Sequence, residues 1–218
     1  MDDIVLIDKP TGMTSFGVVA RVRRVLTEQA GRKVKVGHTG TLDPFATGLM
    51  ILVTGKKCRE AEHYTKLDKW YEAQIVLGQT SSTGDPEGEL TAVSDRRPME
   101  AEICVVLERF TGEIQQVPPV FSAIKIDGQR AYKLARQGKE VNMLSRNVTI
   151  YSLELISYEY PYVNIRTHVS SGTYIRTLAQ DIGEALGTGA YCRELRRTKI
   201  AKYDIADAKT LADLGIVS

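Results

Sequence analysis

The sequence lacks the features that mark membrane and secreted proteins. No stretch approaches the run of about 20 apolar residues that crosses a bilayer. The first residues, MDDIVLIDKP, open with acids before a short apolar run, unlike a secretory signal. Cysteine is scarce, and Cys58, Cys104 and Cys192 are odd in number, widely spaced and without a C-x-x-C pair. We therefore expect reduced thiols, no disulfide framework and a cytoplasmic protein without a membrane partner.

Signatures of metal ions and nucleotide cofactors are missing as well. His38, His63 and His168 show no ligand spacing, either with one another or with the cysteines. The glycine-rich segment at 37–48 does not end in the Gly-Lys-Ser/Thr of a phosphate-binding loop. We expect neither a metal ion nor another cofactor.

The sequence does have an ordinary globular composition with an uneven charge distribution. Its 218 residues are 43% hydrophobic and 26% charged, enough for a core in one large domain or two small ones. Residues 21–35, 121–146 and 193–202 carry net charges of +5, +4 and +4, which leaves −11 for the rest of a chain whose net charge is +2. Such segregation of charge is typical of a protein whose basic face binds an anionic polymer. Alternatively, the three basic blocks form separate solvated faces that do not meet in space.

Hydrophobic periodicity predicts strands interspersed with helices. Short apolar or alternating runs predict strands at 3–7, 49–53, 70–77, 147–159 and 162–169. We predict four helices: one capped by Thr14 or Ser15 with Val18, Val22 and Val25 inward, a polar one over 56–66, one through Ile103, Val106, Leu107 and Phe110, and one from Ile175 to Leu186. Residues 78–98 predict a loop or ragged hairpin. This order predicts an α+β domain with a mixed sheet.

The segment GHTGTLDPFATG, residues 37–48, is the most informative one for function. Its glycines, threonines and Asp-Pro pair predict a loop with special backbone angles that presents one carboxylate, Asp43. Pro44 restricts Asp43 to extended geometry and so fixes the direction of its side chain. A carboxylate that is fixed in this way can act as a nucleophile or a general base. Alternatively, Asp43 only caps a turn.

This segment closely resembles the catalytic motif of the TruB family of tRNA pseudouridine-55 synthases. The resemblance extends from about Ile4 to Leu211. Five further stretches are similar to family motifs: IDKPTGMTS (7–15), KWYEAQIVLGQTSSTGDPEG (69–88), VPPVFSAIKIDGQRAYKLARQG (117–138), SSGTYIRTLAQDIGEALG (170–187) and ELRRTKIAKYDI (194–205). The resemblance implies the pseudouridine synthase fold, a mixed, mostly antiparallel central sheet flanked by helices and loops. It also implies a thumb-like RNA-binding insertion at 117–146. We expect a single catalytic domain over 1–218, without the carboxy-terminal RNA-binding domain of the PUA type that bacterial members usually carry.

The activity implied by the resemblance is isomerisation of uridine 55 in the T-loop of tRNA to pseudouridine. Asp43 would be the essential carboxylate, acting after the target base is flipped out of its stack. Arg176 would form a salt bridge with Asp43 that keeps it ionised and aimed. Tyr71 would offer the flipped uracil a stacking surface and help to remove the proton from C5. Taken without the family resemblance, the sequence predicts that Arg176 is an ordinary surface arginine and that Tyr71 is a core residue of a strand.

Other residues match family positions that bind the substrate. His38 is expected to touch RNA around the target, and Tyr174 and Leu195 are expected to line the uracil pocket, although read alone those two belong to the core. In the thumb-like insertion, where Phe121 and Tyr132 are interleaved with basic residues, phosphate contacts are expected from Lys125, Arg130, Lys133 and Arg136. Arg196 and Arg197 of the third basic block complete the expected RNA-binding set. Alternatively, the insertion is a plain amphipathic helix whose lysines are solvated and bind no RNA.

The expected partner is the T-arm of tRNA, bound by a monomer that requires no obligate protein partner. A non-catalytic RNA-binding or tRNA-folding module is one rival interpretation. The catalytic subunit of a guide-RNA particle, in which accessory proteins and a guide select the uridine, is another.

Overall fold

The computed structural model describes residues 2–122, 124–126, 128–139 and 141–216, apart from the side chains of Tyr132 and Arg136. The strands are β1 (Ile4–Lys9), β2 (Val36–His38), β3 (Thr47–Thr54), β4 (Lys69–Leu77), β5 (Gln79–Ser81), β6 (Leu90–Ala92), β7 (Gly112–Gln116), β8 (Lys125–Ile126), β9 (Gln129–Arg130), β10 (Arg146–Glu159), β11 (Tyr162–Val169), β12 (Ala190–Ile200) and β13 (Tyr203–Asp204). The α-helices are α1 (Ser15–Ala30), α2 (Ala61–Thr65), α3 (Glu100–Arg109), α4 (Ala131–Arg136) and α5 (Ile175–Ala185). Short 3-10 helices cover Gly55–Glu60, Ile205–Asp207 and Ala212–Leu214.

The predicted α+β class, with mixed and mostly antiparallel strands flanked by helices, is confirmed. The chain forms two compact units. The first comprises Met1–Glu72 and Leu195–Ser218, and the second comprises Ala73–Glu194. No helix in the described ranges is both long and apolar enough to cross a membrane.

The first unit is organised around β3. β1 and β2 both pair with β3 in antiparallel fashion, while Arg196 and Arg197 of β12 pair with its start in parallel. All residues from Gly48 to Thr54 are buried, as expected for a central strand with both faces covered. This burial explains why the run LMILV shows no polar alternation.

The beginning of β3 depends on a glycine. Gly48 has a φ of 107°, and a Cβ at this position would lie 2.3 Å from the carbonyl oxygen of Arg197. The backbones of β3 and β12 therefore approach each other so closely that only glycine fits.

The helix α1 begins as the sequence predicts. Thr14 caps it, because its side-chain oxygen accepts a hydrogen bond from the backbone N–H of Gly17 at 3.0 Å. Val18 and Val22 face the core, but Val25 is half-buried and Leu26 is buried in its place. The predicted inner face is wrong at this residue, since the buried stripe continues at a spacing of four residues.

The second unit contains strands in the order β4–β11–β10–β7, with β10 antiparallel to both of its neighbours. Its core is built from apolar side chains of α3, α5, β10 and β11, namely Ile103, Val106, Leu107, Ile175, Leu178, Ile182, Val148, Ile150, Val163 and Ile165. β5 and β6 pair within residues 78–98, so the ragged hairpin is confirmed. In the insertion, β8 and β9 form a hairpin that leads into α4.

Several boundaries differ from the sequence-based expectation. The polar segment at 56–66 is a 3-10 helix over Gly55–Glu60 followed by the short α2. Helix α3 ends at Arg109, so Phe110 is its carboxy-terminal cap, and α5 ends at Ala185. Hydrophobic periodicity did not predict β7, because Ile114 is the only strongly apolar residue in its sequence GEIQQ.

Candidate active site

The loop that carries Asp43 lies between β2 and β3 and is anchored on both sides of the carboxylate. Ser15, the first residue of α1, donates from Oγ to the carbonyl oxygen of Leu42 at 2.9 Å and accepts from the backbone N–H of Leu42 at 2.8 Å. On the other side, the backbone N–H of Gly12 donates to the carbonyl oxygen of Pro44 at 2.8 Å. Asp43 itself is half-buried. The expectation of a fixed loop is therefore supported by contacts at both neighbours of the aspartate.

A buried lysine strengthens the second anchor. Lys9 is fully buried, and its Nζ donates to the carbonyl oxygens of Pro10 at 2.8 Å, Met13 at 2.7 Å and Pro44 at 3.2 Å. A charged ammonium is held in the interior only when its donors are satisfied in this way. Lys9 therefore ties the turn after β1 to the residue that follows Asp43.

Two further cations lie beside the start of the same loop. Arg197 is 1% exposed, and it donates to the carbonyl oxygens of Leu49 at 2.7 Å and Gly40 at 3.2 Å. Lys69 is also buried and donates to the carbonyl oxygens of Thr65, at 2.9 Å, and Leu67. Burial and the nearby charge of Arg197 lower the pKa of Lys69 to about 8. Lys9 and Arg197 thus bind backbone carbonyls of the loop, whereas Lys69 binds carbonyls at the end of α2.

Arg176 is buried in the second unit, so the alternative of a surface arginine is excluded. It is 3% exposed and forms an ion pair with Asp85, which is 4% exposed, with Nη1 lying 3.0 Å from Oδ2. The guanidinium also donates to the carbonyl oxygens of Thr83 and Phe121, each at 2.8 Å. Its predicted pairing with Asp43 joins residues of different units and stays a prediction.

Asp85 is in turn held by its neighbours. Its Oδ1 accepts hydrogen bonds from the hydroxyl of Thr83 at 2.6 Å and from the backbone N–H of Glu87 at 3.1 Å. The sequence interpretation missed Asp85, because an aspartate before proline in a Gly-Ser-Thr-rich loop looks like a turn residue. Its near-complete burial is the observation that separates it from an ordinary turn aspartate.

Tyr174 caps the beginning of α5 and is fixed through its backbone. The buried side chain of Gln116 accepts from the backbone N–H of Tyr174 at 2.7 Å and donates to its carbonyl oxygen at 3.0 Å. The guanidinium of Arg146 lies 5.1 Å from the centre of the Tyr174 ring, within the range of a cation–π contact. Gln116 directly precedes the insertion at 117–146 and Arg146 is its last residue, so both ends of the insertion contact the segment that begins α5.

The remaining predicted pocket residues lie in the first unit. Tyr71 on β4 and Leu195 on β12 are buried at 7% and 8% exposure, and His38 is the half-buried last residue of β2. His38 precedes the Asp43 loop directly, as the motif implies. The roles expected of these three residues toward a substrate remain predictions.

The thumb-like insertion carries exposed basic residues, as expected for a phosphate-binding surface. Lys125 and Arg130 are cross-strand partners in the β8–β9 hairpin, and so project from the same face, and Lys133 follows on α4. All three are exposed. The side chains of Arg136 and Tyr132 lie outside the described part of the chain. Phe121, half-buried at the base of the insertion, contributes the carbonyl oxygen that Arg176 binds.

Arg196 and Arg197 occupy different environments. Arg196 is half-buried and forms a bidentate contact with Asp8, with Nη2 to Oδ2 at 2.7 Å and Nη1 to Oδ1 at 3.1 Å. Arg197 is enclosed by the β3 and loop carbonyls described above. A phosphate contact requires an accessible guanidinium, and the enclosed guanidinium of Arg197 does not offer one.

Among the described residues, no group of three or more His, Cys, Asp or Glu side chains could hold a metal ion. Most polar contacts of the site instead join a side chain to a backbone group. They hold a carboxylate on a braced loop in one unit and a buried arginine–aspartate pair in the other. A braced carboxylate is suited to nucleophilic or acid–base chemistry.

Two family models match the chain. The TruB family pseudouridylate synthase (N terminal domain) matches residues 23–175, and the tRNA pseudouridylate synthase B C-terminal domain matches residues 176–216. These matches confirm the resemblance inferred from the motifs.

Curated relatives extend over nearly all of the chain. The tRNA pseudouridine synthase B of Azoarcus sp. (strain BH72) is 46% identical over 98% of this chain and 70% of its own length. The protein of the same name from Opitutus terrae is 44% identical over 97% of this chain and 86% of its own length. That of Syntrophotalea carbinolica is 42% identical over 100% of this chain and 70% of its own length.

Solved structures with the same fold are similar at lower identity. A chain in the crystal structure of a Cbf5-Nop10-Gar1 complex has a TM-score of 0.75 at 31% identity, covering 96% of this chain and 52% of that chain. A chain of an H/ACA RNP bound to a substrate RNA containing 2′-deoxyuridine has a TM-score of 0.70 at 29% identity, covering 96% of this chain and 51% of that chain. This chain therefore spans about half the length of those two chains. With a family model over residues 23–175 and relatives at 42–46% identity along its length, the chain belongs to the TruB family of pseudouridylate synthases, which are isomerases.

Proposed function

We propose that this protein isomerises uridine 55 in the T-loop of tRNA to pseudouridine, with Asp43 as the essential catalytic carboxylate. The identity to tRNA pseudouridine synthases along nearly the whole chain carries the proposal. The bracing of the Asp43 loop by Ser15, Lys9 and Arg197 supports it, because catalysis by a carboxylate requires a fixed direction of attack.

The proposed reaction exchanges one bond of the nucleotide for another. The bond between N1 of uracil and C1′ of ribose breaks, the base rotates, and a new bond joins C5 to C1′. The proton leaves C5 and N1 gains one, so the reaction consumes no cofactor. A carboxylate can serve this exchange by attacking the ribose, by attacking the base or by removing a ribose proton.

Access to the reacting bond requires the uridine to leave its stack, which costs a few kcal/mol. The ring of Tyr71 is proposed to stack on the extruded uracil, and Tyr174 and Leu195 are proposed to line its pocket. His38, next to the Asp43 loop, is proposed to contact the RNA around the target. Arg176 is proposed to keep Asp43 ionised and aimed.

Affinity for the folded RNA is proposed to come from phosphate contacts by basic residues of the insertion. Lys125, Arg130 and Lys133 are the described members, and Arg136 and Arg196 complete the set. The protein is proposed to work on tRNA in the cytoplasm as a monomer, from a single catalytic domain over 1–218.

The similarity to chains of Cbf5-containing complexes raises a second candidate, the catalytic subunit of a guide-RNA particle. The stand-alone function is favoured, because relatives named tRNA pseudouridine synthase B are 42–46% identical, against 29–31% for the chains from the complexes. An assay of pseudouridine formation by the purified protein on a free, unmodified tRNA transcript tests both candidate functions. Pseudouridine at position 55 supports the stand-alone function, and activity that depends on added guide RNA and accessory proteins supports the other.

A further inference from the structure

A second basic surface lies in the first unit, whereas the insertion belongs to the second. We call it the α1–β2 basic surface and define it by Arg32, Lys33, Lys35 and Lys56, all of which are exposed. Arg32, Lys33 and Lys35 come from the segment between α1 and β2, and Lys56 comes from the Gly55–Glu60 helix. The basic block at 21–35 that stands out in the sequence thus gains a member from a distant part of the chain.

Local structure turns the lysines of this surface toward solvent. Gly31, with a φ of 62°, ends α1, and the hydroxyl of Thr27 accepts a hydrogen bond from the backbone N–H of Val34 at 3.2 Å. The chain then runs alongside the helix end with Val34 buried. Because side chains alternate along extended chain, Lys33 and Lys35 both project outward.

Backbone pairing brings Lys56 to the same place. The backbone N–H of Gly55 donates to the carbonyl oxygen of Lys35 at 2.9 Å, and that of Lys56 donates to Oδ1 of Asp2 at 2.7 Å. This hydrogen bond lowers the pKa of Asp2, and the charges of Lys56 and Arg32 lower it further. Lys56 therefore lies next to Lys35 in the fold, and its charge and that of Arg32 both act on Asp2.

The cations of this surface form no ion pair with a described residue. In the described part of the chain, the side chains of Arg32, Lys33, Lys35 and Lys56 all lie more than 4.0 Å from any carboxylate oxygen. Basic residues nearby in sequence behave differently, since Lys57 pairs with Glu60 and Lys66 pairs with Glu62, both at 2.8 Å. Unpaired cations in a cluster repel one another, so the surface is suited to an external polyanion.

We propose that the α1–β2 basic surface binds the phosphate backbone of the RNA stem adjoining the target uridine, as a second phosphate-binding site in addition to the thumb-like insertion. This inference rests on the proposed function. Lys35 precedes His38 by three residues of extended chain, a distance of about 10 Å, so a stem next to the loop at His38 and Asp43 reaches the surface. A bilayer is the less suitable partner, because the apolar side chains Val18, Val22 and Leu26 of α1 are buried in the core and cannot insert.

Binding of the isolated T-arm stem-loop and of full-length tRNA transcript, measured over a range of salt concentrations, tests this proposal. The triple variant Arg32→Ala, Lys33→Ala, Lys35→Ala should bind both RNAs about tenfold more weakly, and the salt slope of its affinity should fall by about one unit for each phosphate that the variant no longer neutralises. Its kcat/KM for pseudouridine formation should fall by the same factor as its affinity. Its Tm should stay close to that of wild type, because none of these exposed side chains forms an ion pair with a described residue. The single variant Lys33→Ala serves if the triple variant does not fold.

The matched control removes three exposed lysines elsewhere in the same unit, in the variant Lys66→Ala, Lys202→Ala, Lys209→Ala. A lower salt slope of RNA affinity in the Arg32→Ala, Lys33→Ala, Lys35→Ala variant, but not in the control variant, supports the proposal. Equal losses of RNA affinity in both variants, or no loss in the first, overturn it. The proposal is also overturned if the first variant loses binding to phosphatidylserine vesicles while its RNA binding stays intact. If wild type binds the stem-loop through this surface yet forms no pseudouridine, the proposed function fails and the surface stands.

Discussion

The pair formed by Arg176 and Asp85 is costly to bury and therefore informative at the scale of single residues. Two charges taken out of water are stable only with close contact and further hydrogen bonds. Here the 3.0 Å ion pair is supplemented by the carbonyls of Thr83 and Phe121 and by the donors to Asp85. This arrangement orients the guanidinium before any substrate arrives.

Replacement of Asp85 should separate the two roles of this pair. We expect Asp85→Ala to lower the free energy of unfolding by about 3–5 kcal/mol, because it removes the carboxylate from a buried guanidinium. Turnover should also fall in protein that remains folded, since Arg176 loses its orientation. Urea denaturation and single-turnover assays well below the Tm measure the two effects. Glu89→Ala, an exposed acid in the same hairpin, should change neither, and an unaffected Asp85→Ala protein would contradict the assignment.

Asp181 on α5 should make stability depend on pH. Burial raises its pKa to about 6, and the negative charge of Glu184 adds to the shift. A raised pKa means that the folded state holds the proton more tightly than the unfolded state, so stability falls as pH rises from about 4 through about 6.

The variant Asp181→Asn should therefore have a higher Tm than wild type at about pH 7.5 and the same Tm at about pH 4. Glu184→Gln should give a smaller gain at about pH 7.5, because the charge of Glu184 is the lesser cause of the shift. Thermal unfolding across this pH range measures both. An equal gain at both pH values would show that packing, not ionisation, is responsible.

At the scale of elements, the braced loop between β2 and β3 is the structure on which the proposed catalysis by Asp43 depends. Ser15 serves both backbone groups of Leu42, so one hydroxyl links the start of α1 to the residue before the aspartate. The sequence predicted the loop and Asp43 from glycines and the Asp-Pro pair. It did not predict the braces, since Lys9 and Ser15 become identifiable only when distant segments are brought together.

Two adjacent variants test this role of the brace. Ser15→Ala leaves two backbone groups of Leu42 without their partner and should cost about 1–3 kcal/mol of stability while lowering kcat by about tenfold. Thr14→Ala removes the helix cap at a cost of about 1 kcal/mol but does not touch the loop, so its kcat should remain near that of wild type. Steady-state kinetics with thermal unfolding compares them. Equal effects of both on kcat would mean that general destabilisation accounts for the loss.

The insertion is the second element with a testable role. Lys125 and Arg130 face the same side of the β8–β9 hairpin, where they present two adjacent positive charges. The double variant Lys125→Ala, Arg130→Ala should bind tRNA more weakly and with a salt slope lower by about two. Filter binding at several salt concentrations measures this slope. An unchanged slope would remove these residues from the phosphate-binding set.

At the scale of the whole molecule, the α+β class and the strands β1, β3, β4, β10 and β11 followed from periodicity. The strand β12 did not, because the charged run RELRR within it hides the alternation; only its resemblance to the closing strand of the family indicated it. Arg197 shows the reason, since an arginine that satisfies buried carbonyls cannot be told from a solvated one by type alone. Position in the family motif identified Asp43 and Arg176, whereas only burial and contacts identified Asp85.

The most direct test of the central proposal uses an unmodified tRNA transcript with tritium at C5 of its uridines. Wild type and Asp43→Asn are compared for tritium release, and the position of the modified nucleotide is mapped. We expect one equivalent released from position 55 by wild type and none by Asp43→Asn, with tRNA affinity retained in the variant. Tight binding of tRNA without release by wild type, or undiminished release by Asp43→Asn, would contradict it.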